Sequence, residues 1–348
     1  MCGSSVFKKN NGVKRMKAVF LCNDKNNPMR IYSQAVRDEL KELSGIENTV
    51  FSKDDVLKNT ALFKDTEFIF STWGMPVFSE EEIKSIFPRL KCVFYGAGTV
   101  QFFARPFLNC GVKVFSSWAA NAVPVAEYTV AQIILANKGF FMTSRFQSEG
   151  KLKEAARFKE CYPGSFGEAV GIIGAGMIGS LVIEMLKGYK LKVKVFDPFL
   201  SDEKAHNLGV EKTSLEDIFS SCFVISNHLA DNKETKGMLR KKHFQSMREY
   251  SAFINTGRGA QVVESELCDV LRERADITAI LDVTCPEPPE EGHPFYTLPN
   301  CILTPHIAGS YGDEVMRMGE YMLVEYKKYL NSEPLSYEVT LKMLETMA

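Results

Sequence analysis

A chain of 348 residues predicts about two domains, each long enough to bury its own core, and rules out a single small stapled module. Apolar residues at 45% and charged residues at 24% exclude a chain dominated by disorder. With 42 basic against 43 acidic residues and a formal net charge of −1, no global basic field exists to gather nucleic acid or an anionic membrane, so the expected partner is a small molecule.

Residues 1–15 read as a tail. From residue 16 short apolar runs alternate with amphipathic stretches: strands are predicted at Ala18 to Leu21, Glu67 to Phe70, Cys92 to Tyr95 and Val112 to Phe115, with helices at Ser33 to Leu43 and Ser79 to Phe87 between them. Strands separated by helices imply crossovers and a parallel sheet, so this stretch forms one α/β unit. Asn121 to about Gly150 reads as one unusually long helix, apolar on much of its circumference, that must be buried between elements or between subunits. The charged stretch 151–160 (KLKEAARFKE) reads as a solvated connection, and a second α/β unit starts at Glu168. Asp313 to Leu330 is helical by pattern. The closing residues are expected to return to the first unit, which makes domain one discontinuous: 16–120 plus 312–348 against 121–311. The fold class is therefore α/β, two Rossmann-like or flavodoxin-like parallel-sheet domains flanking a cleft.

The nine cysteines are odd in number and form no C-x-x-C pair, which argues for reduced thiols in a cytoplasmic protein and against a metal site. No apolar run approaches the roughly 18 residues that span a bilayer, so no membrane association is expected.

The most informative residues open the second unit. Gly174-Ala175-Gly176-Met177-Ile178-Gly179 fits G-x-G-x-x-G, follows the apolar strand Ala169 to Ile173 and opens an amphipathic helix. Such a turn needs Gly174 for its tightness, Gly176 for backbone approach to a pyrophosphate and Gly179 for close packing of helix on strand. The first helical N–H groups, around Met177 and Ile178, then face the phosphates. The next predicted strand, Leu191 to Phe196, ends in Asp197, a carboxylate suited to the ribose hydroxyls of NAD, and no cation occurs among residues 198–202 to welcome the 2′-phosphate of NADP. An NADH preference of at least about tenfold follows.

Three more strands end in polar groups: Phe253 to Asn255 runs into Thr256-Gly257-Arg258-Gly259, Ile280-Leu281 into Asp282 and then Glu287, and Cys301 to Leu303 into Thr304-Pro305-His306. Parallel α/β sheets bind ligands beyond the carboxyl ends of their strands, so these ends should open on one crevice.

In this order, GxGxxG, DP, INTGRG, LDV followed by EP, and TPHIAGS, the chain resembles the D-isomer-specific 2-hydroxyacid dehydrogenase family over essentially residues 16–330. LKCVFYGAG resembles the family's substrate loop and NAVPVAE the start of its linking helix. The resemblance implies a catalytic Arg258, Glu287 and His306. It also implies cofactor contacts at His228, Thr256, Gly257 and Asp282, and a substrate carboxylate held by backbone N–H groups around Gly96, Ala97 and Gly98 together with Arg258. The chemistry agrees: a guanidinium can hold a 2-keto acid through two parallel hydrogen bonds, a histidine can donate the proton, and a carboxylate beside it favours the imidazolium and fixes the tautomer. Three departures stand out: Ala230 where relatives commonly carry proline, Cys285 where they often carry another residue, and Tyr95 in the FYGAG loop where many carry a different side chain. Trp73, Tyr95, Phe102 and Trp118 are candidates for an aromatic pocket or for core packing. The function implied is NAD-dependent interconversion of a small 2-keto acid and a D-2-hydroxy acid by a homodimer. The alternatives are a short-form phosphoglycerate or glyoxylate/hydroxypyruvate reductase, or an NAD-binding corepressor-like or sensor protein with little catalysis.

Overall fold

The computed structural model describes residues 17–345; the expected tail, residues 1–15, lies outside them. The chain divides into two compact units, residues 17–118 with 315–345, and 119–314. In the first, β1 (Ala18–Leu21), β2 (Val50–Phe51), β3 (Phe68–Ser71), β4 (Cys92–Tyr95) and β5 (Lys113–Ser116) pair in parallel in the order β5-β4-β3-β1-β2. A C-terminal strand, Glu338–Val339, joins β5 antiparallel and brings the end of the chain back to this sheet. The helix Met316–Leu330 closes one face: Tyr326 stands edge-on to Phe70 and Phe94, and Phe94 stacks on Phe115 at 4.9 Å. Helix starts follow local chemistry, as where Ser79 and Glu82 exchange hydrogen bonds in a capping box ahead of Glu80–Ile86.

The second unit is a seven-stranded, wholly parallel sheet. Its strands are β6 (Phe166–Ile173), β7 (Lys190–Phe196), β8 (Glu211–Lys212), β9 (Val224–Asn227), β10 (Ala252–Asn255), β11 (Thr278–Leu281) and β12 (Cys301–Leu303). The order β12-β11-β10-β9-β6-β7-β8 puts the reversal of winding between β6 and β9, where doubly wound sheets bind their ligands.

The long helical stretch is two helices. α1 (Trp118–Asn137) ends where Gly139 takes φ +67° and a second helix, Phe140–Ser148, begins. A Cβ at Gly139 would lie 2.2 Å from the Tyr162 ring, so both the left-handed backbone and the close ring demand glycine and stop the helix. The charged stretch expected as a connection is helical over Leu152–Lys159 and is pinned by Phe158, 4.8 Å from Phe146. By length and composition α1 is apolar enough to cross a membrane, contrary to the run-length count; half of that window is buried, and Ala126, Val130, Ile133 and Ala136 pack into the core beside β6 and β10.

Candidate active site

At the end of β6 the chain turns sharply at Gly174, φ +91°, where a Cβ would lie 2.9 Å from the His228 carbonyl at the end of β9. Gly179, in the first turn of α2 (Met177–Leu186), would place a Cβ 2.0 Å from the Gly174 oxygen, so glycine alone lets helix and strand approach this closely. Gly176 has open space where a Cβ would be, which leaves its backbone clear for a ligand. The Asp197 carboxylate accepts from Ala175 N–H and from Phe199 N–H, both at 2.7 Å, and so joins the turn to the end of β7.

These groups line a cavity of about 490 Å³ with His228, Thr256, Gly257 and Arg258. His228 is buried, with Nε2 2.9 Å from Ser226 Oγ and Nδ1 3.5 Å from Thr256 Oγ1, which in turn lies 3.2 Å from Thr129 Oγ1 on α1. Burial pushes its imidazole down to about 3, so it is a neutral wall. Arg258 donates from Nη1 to the Gly257 carbonyl at 2.8 Å. The loop after β9 does without the family's proline: Gln261 Nε2 donates to the Leu229 and Ala230 carbonyls, and Thr235 Oγ1 donates to Ala230.

A neighbouring cavity of about 540 Å³ is lined by Asp282, Glu287 and His306. Arg258 is therefore in the first cavity and the histidine and glutamate in the second. Gly259, the residue after Arg258, packs closely on Thr284 of the second cavity, where a Cβ would lie 2.0 Å from the Thr284 backbone. His306 Nδ1 lies 2.6 Å from Glu287 Oε1, both side chains about half exposed, which leaves Nε2 for a substrate. His306 adopts φ +54°, a strained conformation for a residue with a Cβ. Asp282, only 2% exposed, holds that strain: its carboxylate accepts from Thr304 Oγ1 at 2.6 Å, Ile307 N–H at 2.8 Å and Ala308 N–H at 2.9 Å, while its carbonyl accepts from His306 N–H. The residue expected on the nicotinamide side is thus committed to shaping the histidine loop. Glu264, 11% exposed, accepts from Cys285 N–H at 2.8 Å, which fixes the start of the turn that carries Glu287, and lies 3.9 Å from His293 Nε2 near its end. Burial pushes its carboxyl up to about 7.

Gly96, Ala97 and Gly98 belong to the first unit. Gly96 N–H donates to the Ser71 carbonyl and Ala97 N–H to Tyr95, so two of the three amides expected to hold a carboxylate are engaged within the sheet. Tyr95 is buried against Phe103 at 4.9 Å, which makes it a core residue; Trp118 is half-buried and stands edge-on to Tyr337, and Trp73 and Phe102 are exposed. Sequence reading missed Lys204, Glu264 and the polar residues Asn232 and Thr235 of the first cavity. Lys204 stands two residues beyond the cation-free stretch 198–202.

A glycine turn at a switch point, an acid at the end of the next strand and an open helix N-terminus make residues 119–314 a dinucleotide-binding Rossmann domain. Residues 130–308 match the D-isomer specific 2-hydroxyacid dehydrogenase, NAD binding domain, family. The chain belongs to this family, and NAD is its cofactor. Bacillus subtilis YoaD, which bears a 2-hydroxyacid dehydrogenase name, is 34% identical over 58% of this chain and 58% of its own length. The D-3-phosphoglycerate dehydrogenase of Archaeoglobus fulgidus is 29% identical over 68% of this chain and 44% of its own. The matched stretch thus spans about half the length of these relatives. A phosphoglycerate oxidoreductase from Rhizobium etli shares the fold with a TM-score of 0.77 at 22% identity, covering 92% of this chain and 97% of that one.

Proposed function

We propose that the protein interconverts a small 2-keto acid and a D-2-hydroxy acid with NAD, the configuration following from the family. The observation that carries this reading is the His306–Glu287 pair at 2.6 Å on a strained loop inside an NAD-binding domain. When bound, the dinucleotide supplies or takes the hydride at the substrate carbon. In reduction, His306 Nε2 gives its proton to the carbonyl oxygen as the hydride arrives, and Glu287 holds Nδ1 so that the ring faces the substrate in one tautomer. Arg258, a fixed planar cation, orients the keto acid carboxylate. In oxidation the same nitrogen takes the hydroxyl proton.

A homodimer is supported by apolar side chains left exposed on the second unit, Phe166 at 83% and Leu152 at 58%. A reducing, cytoplasmic setting is supported by the eight described cysteines, all free; burial pushes Cys22, Cys222 and Cys268 up to about 11 and Cys92 and Cys301 up to about 12, which makes them inert. The test is NADH consumption against a broad panel of 2-keto acids. Turnover on one or more supports dehydrogenase activity, whereas tight NADH binding with no turnover would favour the sensor reading.

A further inference from the structure

We propose that Lys204 is a second cofactor-discriminating residue, set against Asp197, whose ammonium receives the 2′-phosphate of NADPH and narrows the preference for NADH. The inference rests on the dinucleotide-binding reading of the first cavity and deepens it. Asp197 and Lys204 act on the two ends of one residue of the phosphate turn. Asp197 Oδ2 accepts from Ala175 N–H at 2.7 Å, and Lys204 Nζ donates to the Ala175 carbonyl at 3.2 Å. Both line the cavity. Each charge is held by backbone of the turn rather than by the other, so neither is neutralised in an ion pair between them.

Lys204 reaches this place from α3 (Asp202–Leu208), whose start is fixed by Ser201 Oγ accepting from Lys204 N–H. One of its three ammonium protons serves the Ala175 carbonyl, which leaves two for a ligand. Lys212, another cation of this edge, is already taken up by the Leu200 carbonyl and Asp202. The adenosine side of the cavity therefore presents a carboxylate that accepts ribose hydroxyls and repels phosphate, beside an ammonium that attracts phosphate. Asp231 also lines the cavity and adds to the repulsion. NADH stays preferred, by less than Asp197 alone would impose.

Titrating NADH and NADPH against the intact protein by nicotinamide fluorescence tests this without any substrate. Lys204→Met should weaken NADPH by about tenfold, the worth of one charge-assisted hydrogen bond, and NADH by no more than about threefold. Lys204→Arg, which keeps the cation, should hold the wild-type ratio. Asp197→Ala should tighten NADPH, and most of that gain should vanish in the Asp197→Ala/Lys204→Met double variant. If Lys204→Met weakens both cofactors equally, or Lys204→Arg loses the ratio as Lys204→Met does, Lys204 only braces the turn and the proposal is overturned. Should Lys204→Met fail to fold by circular dichroism, Lys204→Gln takes its place with the same expected ratio. Wild-type protein binding neither dinucleotide would overturn the cofactor reading itself, a result distinct from an unchanged ratio.

Discussion

Asp282→Asn removes one charge and one acceptor at the point where three donors of the His306 loop converge. On the aspartate, Thr304 Oγ1 and Ile307 N–H share Oδ1 and Ala308 N–H takes Oδ2. An asparagine keeps its best geometry with oxygen at the Oδ1 place, which preserves two bonds but turns them from charge-assisted to neutral, a loss of roughly 1 kcal/mol each. Its amide then meets Ala308 N–H donor to donor, and a buried unsatisfied donor costs about 1–3 kcal/mol. The sum is roughly 3–5 kcal/mol, a large part of an ordinary stability of about 5–15 kcal/mol. Urea unfolding should show a lower midpoint at unchanged slope. Because the same bonds hold His306 at its positive φ, kcat should fall with them while NADH affinity moves by less than about threefold. A variant within about 0.5 kcal/mol of the wild type, or one that keeps kcat and loses NADH, would refute the assignment of Asp282 to the histidine loop.

Glu264→Gln tests a pH-dependent contribution. The folded carboxyl titrates at about 7 against a usual 4.5, so the stability it lends is whole below about pH 4.5 and is lost as pH rises through 7; the neutral variant should gain on the wild type between pH 5 and 8 by up to about 3 kcal/mol, and a constant difference across that range would count against it. His228 has the opposite sign. Its folded value of about 3 lies below the usual 6.5, so its contribution stands above pH 6.5 and drains as pH falls toward 3, and His228→Gln should flatten that acid limb in thermal melts. Arg258→Lys keeps the charge and loses the planar fork, so KM for the keto acid should rise by about tenfold or more with NADH affinity nearly unchanged; equal losses on both would place Arg258 on the cofactor.

Much of this was written in local pattern. The apolar runs that became β3, β4, β6 and β10 are short and bounded by turns, and each glycine of the phosphate turn has a distinct steric reason that the spacing already implies. The histidine and its glutamate were legible only through the order of motifs, because 19 positions separate them and nothing local brings them together. What escaped depends on remote partners. The break at Gly139 needs the Tyr162 ring, and the anchoring role of Asp282 is met by backbone amides that any side chain could carry. Lys204 enters the cavity from a helix beyond the loop that follows β7, and Glu264 acts through the Cys285 amide, so neither shows as a motif.

The most direct measurement is kcat/KM for NADH-dependent reduction of the best 2-keto acid of the panel, wild type against His306→Gln, with NADH affinity measured alongside. Proton donation by His306 predicts a fall of roughly 10²–10⁴-fold with NADH affinity unchanged. Activity within about threefold of the wild type in a variant that still binds NADH would contradict His306 as the proton donor and remove the basis for the proposed reaction.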